Sequence, residues 1–560
     1  MRSRSRHAHA EQFRSRRRRL RPALLPLALG GAVLLAVAGC IPVQPLESPG
    51  DRTNIVESVL PEDPDRIVEG GTLTMGLSSE PDALDPTTSG SLYTRYVMQT
   101  ICQKLYDIDG EGEIVPQLAT ALPTWSADGK SATIPLREGV VFADGEPFDA
   151  EAVLTTLDRH LNHPESGRAG ELGPITGMEA VDDHTVRVDF EETFAPFTAS
   201  LADRAGMILS PKAIAELGDD FFTNPTCVGP FKFVQRIPQT SITVERDPLY
   251  YDAENIHLDR IVYRIMSDGN TRAANLRSGD IQVADTLSSN DFDALKQEDG
   301  IETLQVGSFG YQALYVNMGN RNGEIEPFDT PLATEPRIRE ALSMAIDRET
   351  LVNSLTNGWN EAACTPVPPA SYFATPENTK CPEYDPEAAR ALMEETGVEL
   401  PFEIDMKVSN TAGSIRYAEA LQASVEPAGF RINLVPTEYT TMLADQEVGN
   451  YEVAQFGWSG RVDPHNNVYN YVHQDSATNR VGLADQELSD LLDSAAAVTD
   501  VPTRADRYAD VVERMQEINP IIYLYRTRSL TAHTSDVSGI QVYADGVVHL
   551  SHAAFVEEEE

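Results

Sequence analysis

Beyond residue 40 the chain has no apolar run long enough to cross a membrane; a span takes roughly 20 consecutive apolar residues. Positive charge is scarce, with 44 Lys and Arg against 87 Asp and Glu and a formal charge of −43. So acidic a surface repels nucleic acid and anionic lipid headgroups, and no nucleic-acid partner is expected. There is no Gly-x-Ser-x-Gly elbow, no His-Glu-x-x-His pair, no P-loop and no glycine-rich dinucleotide fingerprint. The common marks of hydrolases, metalloproteases, NTPases and dehydrogenases are therefore missing, and neither an enzyme nor a cofactor is expected. Cys-x-x-Cys spacing and internal repeats are absent too, so no metal site is expected. His160 and His163 read as surface histidines at a helix end, and His465 and His473 as flanks of an asparagine-rich loop.

What is present begins with the amino end. Residues 2–21 carry nine arginines and one glutamate. The apolar run "ALLPLALGGAVLLAVAG" follows, from Ala23 to Gly39, and stops at Cys40. The order basic, apolar, small residues is that of a secretory signal. The ending "VAGC" resembles a bacterial lipobox, which implies cleavage before Cys40 and a lipid on its sulfur. Residues 1–39 are then the signal peptide and 40–69, polar and Pro-rich, a lipidated flexible tether. The chain would sit on the outer face of the cell membrane, extracellular or periplasmic. Residues 557–560, "EEEE", read as an acidic tail.

Export makes disulfides possible. Cys364 and Cys381 bracket a Pro-rich loop, "CTPVPPASYFATPENTKC", and a bond across it would contribute roughly 3 kcal/mol in the chain-entropy model. That leaves Cys102 to pair with Cys227. What remains after Cys40 is too long for a single core. Strand-like alternation marks "GTLTMGLSS", "HTVRVDFEE", "TSITVERD", "DRIVYRIM" and "YEVAQFGW". "EPRIREALSMAIDRETLVNSLTNG" reads as one amphipathic helix opened by Pro336 and stopped by Gly358. "YDPEAARALMEETG" reads as another, with Asp385 as N-cap and Gly397 as stop. Strands and helices mix, so the class is α/β. The strand "YEVAQFGW" delivers "GWSGRVDPHNN" to its C-terminal end, where open α/β sheets bind ligands.

Several stretches together resemble one family. They are "EPDALDPTTS" (Glu80–Ser89), the run from Tyr106 to Arg159, "VGPFKF" (Val228–Phe233), "ERDPLYYD" (Glu245–Asp252), "RAANLRSGDIQVAD" (Arg272–Asp285), Pro336–Gly358, Tyr384–Gly397 and "GWSGRVDP" (Gly457–Pro464). In order and spacing they are similar to the extracellular solute-binding proteins of the oligopeptide, dipeptide and nickel class (solute-binding family 5), which serve ABC importers. The resemblance implies a two-lobed, periplasmic-binding-protein-like type II fold whose hinge is crossed twice. The first lobe is expected at 70–315 with a subdomain at roughly 110–225, the second at 316–526, and a return to the first at 527–556. It implies a monomer that closes on a peptide or small solute and hands it to membrane permease subunits. An opine, a metal chelate or a sugar in the same fold, or a secreted hydrolase, are the alternatives.

The implied ligand contacts are Tyr93, Trp458, Arg461 and Asp463. Dipeptide-binding members place an aspartate just after the Trp-Gly region, against the ligand's α-ammonium. Here Arg461 stands in that neighbourhood, which favours an acidic group on the ligand; Asp463 is the remaining ammonium partner, unless it caps a turn or pairs with Arg461 itself. Arg137 in "PLREGVVF" is expected to be structural, held by a buried carboxylate or carbonyl. The anchor is directly testable: Cys40→Ser is expected to release the protein from the membrane fraction and change its mass. A membrane-bound protein of unchanged mass would end the lipid-anchor expectation.

Overall fold

The computed structural model describes residues 54–369 and 371–557. The expected signal peptide, Cys40 and most of the acidic tail lie outside the described residues. Among those described, no helix is long and apolar enough to cross a membrane.

Two mixed sheets organise the chain. The first has seven strands, in spatial order Ile301–Gly307, Arg528–Thr534, Val283–Ala284, Thr72–Leu77, Arg260–Ile265, Ser241–Arg246 and Phe231–Ile237. Its centre is parallel, since Thr72–Leu77 runs parallel to both neighbours. The second has six strands: Glu361–Ala362, Ile521–Arg526, Tyr311–Val316, Val453–Trp458, Phe402–Ser409 and Phe430–Thr437. A third sheet of four strands, spanning Thr124 to Phe190, shares the apolar core of the first. These three sheets form the first lobe, the second lobe and a subdomain on the first. Alternation builds the second lobe's two cores: Tyr311, Ala313 and Tyr315 pack on one face, Leu314 and Val316 on the other.

The chain passes between the sheets twice. The return passage lies at Thr527, next to the expected position. The first does not. Tyr311–Val316 is paired on both sides within the second sheet, so the crossing falls at Ser308–Gly310, ahead of the expected 315/316 boundary. A strand with apolar residues on both faces reads the same in sequence whether it crosses or is embedded. Gly310 lies in this crossing and has to be glycine, since a Cβ there would meet the Trp458 carbonyl oxygen at 2.3 Å.

Two other expectations change. The tether does not extend to residue 69. Ile55 exchanges backbone hydrogen bonds with Gln305, at 2.8 and 2.9 Å, and Ser58 with Ile540 and Gly539. Ile67–Val68 pairs with Phe555 and Val556. An extended segment docks through its backbone, so Pro-rich polar composition does not reveal it. The helix expected from Pro336 to Gly358 is two, Pro336–Met344 and Arg348–Leu355. Asp347 breaks it by capping the second, accepting from the Thr350 N–H at 3.0 Å. Asp385, Pro386 and left-handed Gly397 delimit Pro386–Thr396 in the roles read from sequence.

Cys102 is bonded to Cys227 and Cys364 to Cys381. The first ties the end of the helix Leu92–Ile101 to the segment entering the strand Phe231–Ile237; the second closes a short loop of the second lobe. Replacing Cys364 and Cys381 together by Ala is expected to cost about 3 kcal/mol in denaturant unfolding. A loss near zero would show that the loop is held by its packing alone.

Candidate functional site

The two lobes face each other across a narrow cleft. Its walls come from both. The first lobe supplies Thr88–Gly90, Leu92, Gly167, Arg168 and Arg204; the second supplies Tyr439, Leu443, Phe456–Ser459, Tyr471 and Arg480 among others.

The "EPDALDPTTS" segment shapes the first wall. Glu80 pairs with Arg236 at 2.8 Å. Asp85 takes a two-pronged contact from Arg159, at 2.9 and 2.7 Å. Asp82 accepts from the Gly90 N–H at 2.8 Å, the Ser91 N–H at 3.2 Å and the hydroxyls of Ser89 and Thr94. The loop so fixed turns the carbonyls of Ser89 and Ser91 to Arg204, whose Nη1 donates to them at 2.7 and 3.4 Å. The motif is thus a frame for the cleft wall.

The second wall is the turn after the strand Val453–Trp458. Asn467 holds it: its Oδ1 accepts from Trp458 Nε1 at 2.8 Å and the Arg461 N–H at 2.7 Å, and its Nδ2 donates to the Arg461 carbonyl at 2.9 Å. Gly460 has φ +82°, and a Cβ there would meet the Gly310 nitrogen at 2.3 Å, so the turn needs glycine.

Each residue singled out from the sequence has a definite place. Trp458 lines the cleft, edge-on to Tyr471 at 5.3 Å. Tyr93 bonds Ser78 through its hydroxyl at 3.1 Å and meets Tyr439 of the other lobe edge-to-face at 5.3 Å. Burial, with the charge of Asp285, pushes its pKa up to about 12, so it stays neutral. Arg461 is only 4% exposed. Its guanidinium lies over the Trp458 ring at 4.5 Å, and its Nε pairs with Asp203 of the first lobe. The acidic partner that this arginine demands comes from the protein itself. Burial draws its pKa down to about 10, which still leaves it charged. Asp463 is held by Arg504 at 2.5 and 2.8 Å and caps the turn Pro464–Asn467 through the His465 N–H. Both its oxygens are engaged inside the second lobe, so the turn-capping role displaces the ammonium-binding one.

Arg137 donates from Nε to the Gln117 carbonyl at 2.5 Å, as a structural residue does. His160 is not on the surface. It is fully buried in the helix Ala150–Asn162, bonded to Thr87 through Nδ1 at 3.0 Å, and burial with Arg168 and Arg159 lowers its pKa to about 3. His465 is buried as well, stacked on Tyr469. Among the described residues no cluster of His, Cys, Asp or Glu could hold a metal ion.

Asp203 and Arg95 escaped the sequence reading. Arg95 donates from Nε to Asp203 at 2.9 Å, from Nη2 to Asp545 at 2.7 Å, and from Nη1 to Ser459 Oγ of the other lobe at 3.3 Å. Burial alone would raise the Asp203 pKa, but Arg461 and Arg95 together hold it well below the carboxylate range. Arg95 sits in the quoted "SGSLYTRY", yet its partners lie 108 and 450 positions away, a distance no local pattern spans. Asn466 to Ser200, at 2.9 Å, and Asn470 to Glu171, at 3.2 Å, also join the lobes.

The family model described as "Bacterial extracellular solute-binding proteins, family 5 Middle" matches residues 113–479. The chain belongs to this family. Its relatives include the glutathione-binding protein GsiB of Pectobacterium atrosepticum, 26% identical over 85% of this chain and 92% of that protein. The di/tripeptide-binding protein 2 of Pseudomonas aeruginosa is also 26% identical, over 84% and 92%. Among solved structures, AgaA of A. tumefaciens R10 in complex with agropinic acid superposes with a TM-score of 0.78 at 25% identity, covering 88% of this chain and 99% of that one. DppA of Helicobacter pylori in complex with the peptide STSA gives 0.78 at 24%, over 88% and 99%. The two-lobed binding-protein fold and the role of capture component of an ABC importer, working with permease subunits, follow from this membership; the family consists of binding proteins.

The interlobe ion cluster yields a prediction. Asp203→Asn leaves Arg95 and Arg461 buried beside a neutral amide and is expected to cost about 3 kcal/mol in thermal unfolding. The folded pKa of Asp203 is depressed, so its contribution is present above the unfolded pKa and lost as pH falls through the folded one. The difference between wild type and variant should therefore be constant from about pH 8 to 5 and vanish only in strong acid. A difference that shrinks between pH 8 and 6 would assign the effect to another group.

Proposed function

We propose that this chain captures peptides or peptide-like solutes outside the cell, as a lipid-anchored monomer that does not alter them chemically. The observation that carries the reading is the cleft whose walls come from two lobes, joined by side-chain contacts that exist only when the lobes meet. A solute touching both walls favours that closed form by its differential contacts. Trp458, Tyr439 and Phe456 offer flat apolar surface to such a solute. Relatives that bind glutathione and di- or tripeptides support the peptide-like class. Export and Cys40 lipidation, proposed from the sequence, would keep the cleft at the membrane face where the permease works.

Calorimetric titration with glutathione and mixed di- and tripeptides, followed by mass analysis of the solutes, tests this. At least one should bind with Kd on the order of 1 μM, about −8 kcal/mol, and be recovered intact. No heat from any of them would sink the peptide-like class, and hydrolysis above a protein-free control would sink the pure receptor.

A further inference from the structure

Acidic residues outnumber basic ones 87 to 44 in this chain, yet the residues lining the cleft include three arginines and no carboxylate. They are Arg168 and Arg204 on the first lobe and Arg480 on the second. All three carry donors without partners. Arg204 is 1% exposed. Its Nη1 reaches only the carbonyls of Ser89 and Ser91, its Nε has no partner, and no carboxylate lies within ion-pair range of it among the described residues. Arg168 is pinned to Glu171 through Nη1 at 2.6 and 2.7 Å, while its Nε is buried and unpartnered. Arg480 spends Nη2 on Glu447 at 3.1 Å, while its Nη1 is buried and unpartnered. A buried guanidinium with no counter-charge in direct contact is costly. Burial, with the repulsion of Arg168, pulls the Arg204 pKa down to about 10 against the weaker opposing pull of Asp203 and Glu171.

The carboxylates nearby are already committed. Asp82 accepts from the Ser89–Ser91 loop and Thr94, Glu171 from Arg168 and Asn470, Asp203 from Arg95 with Arg461 beside it, and Asp463 from Arg504. The cleft therefore presents cation without a matching site for a ligand ammonium.

We infer that the solute carries an oxyanion, a carboxylate or a phosphate, set between Arg168 and Arg204 of one lobe and Arg480 of the other, with an apolar portion against Trp458. This rests on the receptor reading and narrows it. Guanidinium forks suit both oxyanions. An anion touching arginines of both lobes also explains why closure should depend on the ligand: it gains partners from both walls only when the walls meet.

Three probes with one aromatic body test it by calorimetry on the purified protein: N-acetyl-Phe-Glu, phenyl phosphate and Phe-Lys amide. The expected result is binding of an anionic probe at least about tenfold tighter than Phe-Lys amide, weakening with salt; which one binds separates carboxylate from phosphate. Arg480→Gln and Arg204→Lys should each weaken that probe at least about tenfold. The Arg480 variant, at the partly exposed rim, should unfold at the wild-type temperature, so that its loss is not misfolding. Tighter binding of Phe-Lys amide, binding of neutral peptides alone, or unchanged affinity in both variants would overturn the inference and leave the receptor reading standing. Silence from every probe and from the peptide and glutathione panel would end both.

Discussion

Asp203 has to sit between two arginines, one from each lobe. It is buried and lies in the first lobe, bonded there to Arg95, and its other oxygen meets Arg461 from the second. Arg95 in turn needs Asp545, supplied by the C-terminal segment that returns to the first lobe. One carboxylate therefore ties together the helix Leu92–Ile101, the turn at Arg204–Gly206, the returning chain end and the cleft-facing turn of the other lobe. Each charge is tolerable underground only because the others are present; taking one partner from such a buried group costs about 3–5 kcal/mol. Residues in that bind cannot drift without the lobes drifting.

The same constraint accounts for the turn at 457–467. Arg461 must reach across to Asp203, so its backbone is fixed on both sides by Asn467. Gly460 lets the chain press against Gly310 at the hinge crossing. Asp463, paired with Arg504, anchors the far end of the turn in the second lobe. The tryptophan–arginine–aspartate grouping is thus mostly a device for presenting Trp458 and for aligning one lobe with the other.

Much of the fold was legible. Val453–Trp458, Thr185–Phe190 and Pro386–Thr396 fall where alternation and caps placed them, because these are local signals with local causes. The break at Asp347 was missed since a capping aspartate inside a continuous apolar stripe looks like a surface residue. The docking of Ile55 and Ser58 was missed because backbone pairing leaves no mark on composition. At the site, Trp458 was visible as an aromatic at a strand end. The partners of Arg461 and Asp463 were not: Asp203 and Arg504 look like any of the many charged residues, and only the folded chain selects them. His160 was misplaced for the related reason that a histidine on a helix shows no sign of which face is buried.

The ion cluster does not by itself decide whether the empty protein closes. Opening the lobes separates Arg461 from Asp203 but returns both to water, and the regained hydration offsets most of the lost attraction. Such a contact fixes how the lobes meet more firmly than how often they meet. The frequency is left to whatever fills the cleft, since moving a two-state equilibrium from mostly open to mostly closed takes about 5.5 kcal/mol of differential binding. That is within reach of a solute whose groups face both walls, and beyond one that touches a single wall. Alignment built from protein charges, with closure left to the cargo, is the division of labour a capture protein needs: a cleft that shut tightly when empty would present the permease with a closed form carrying nothing.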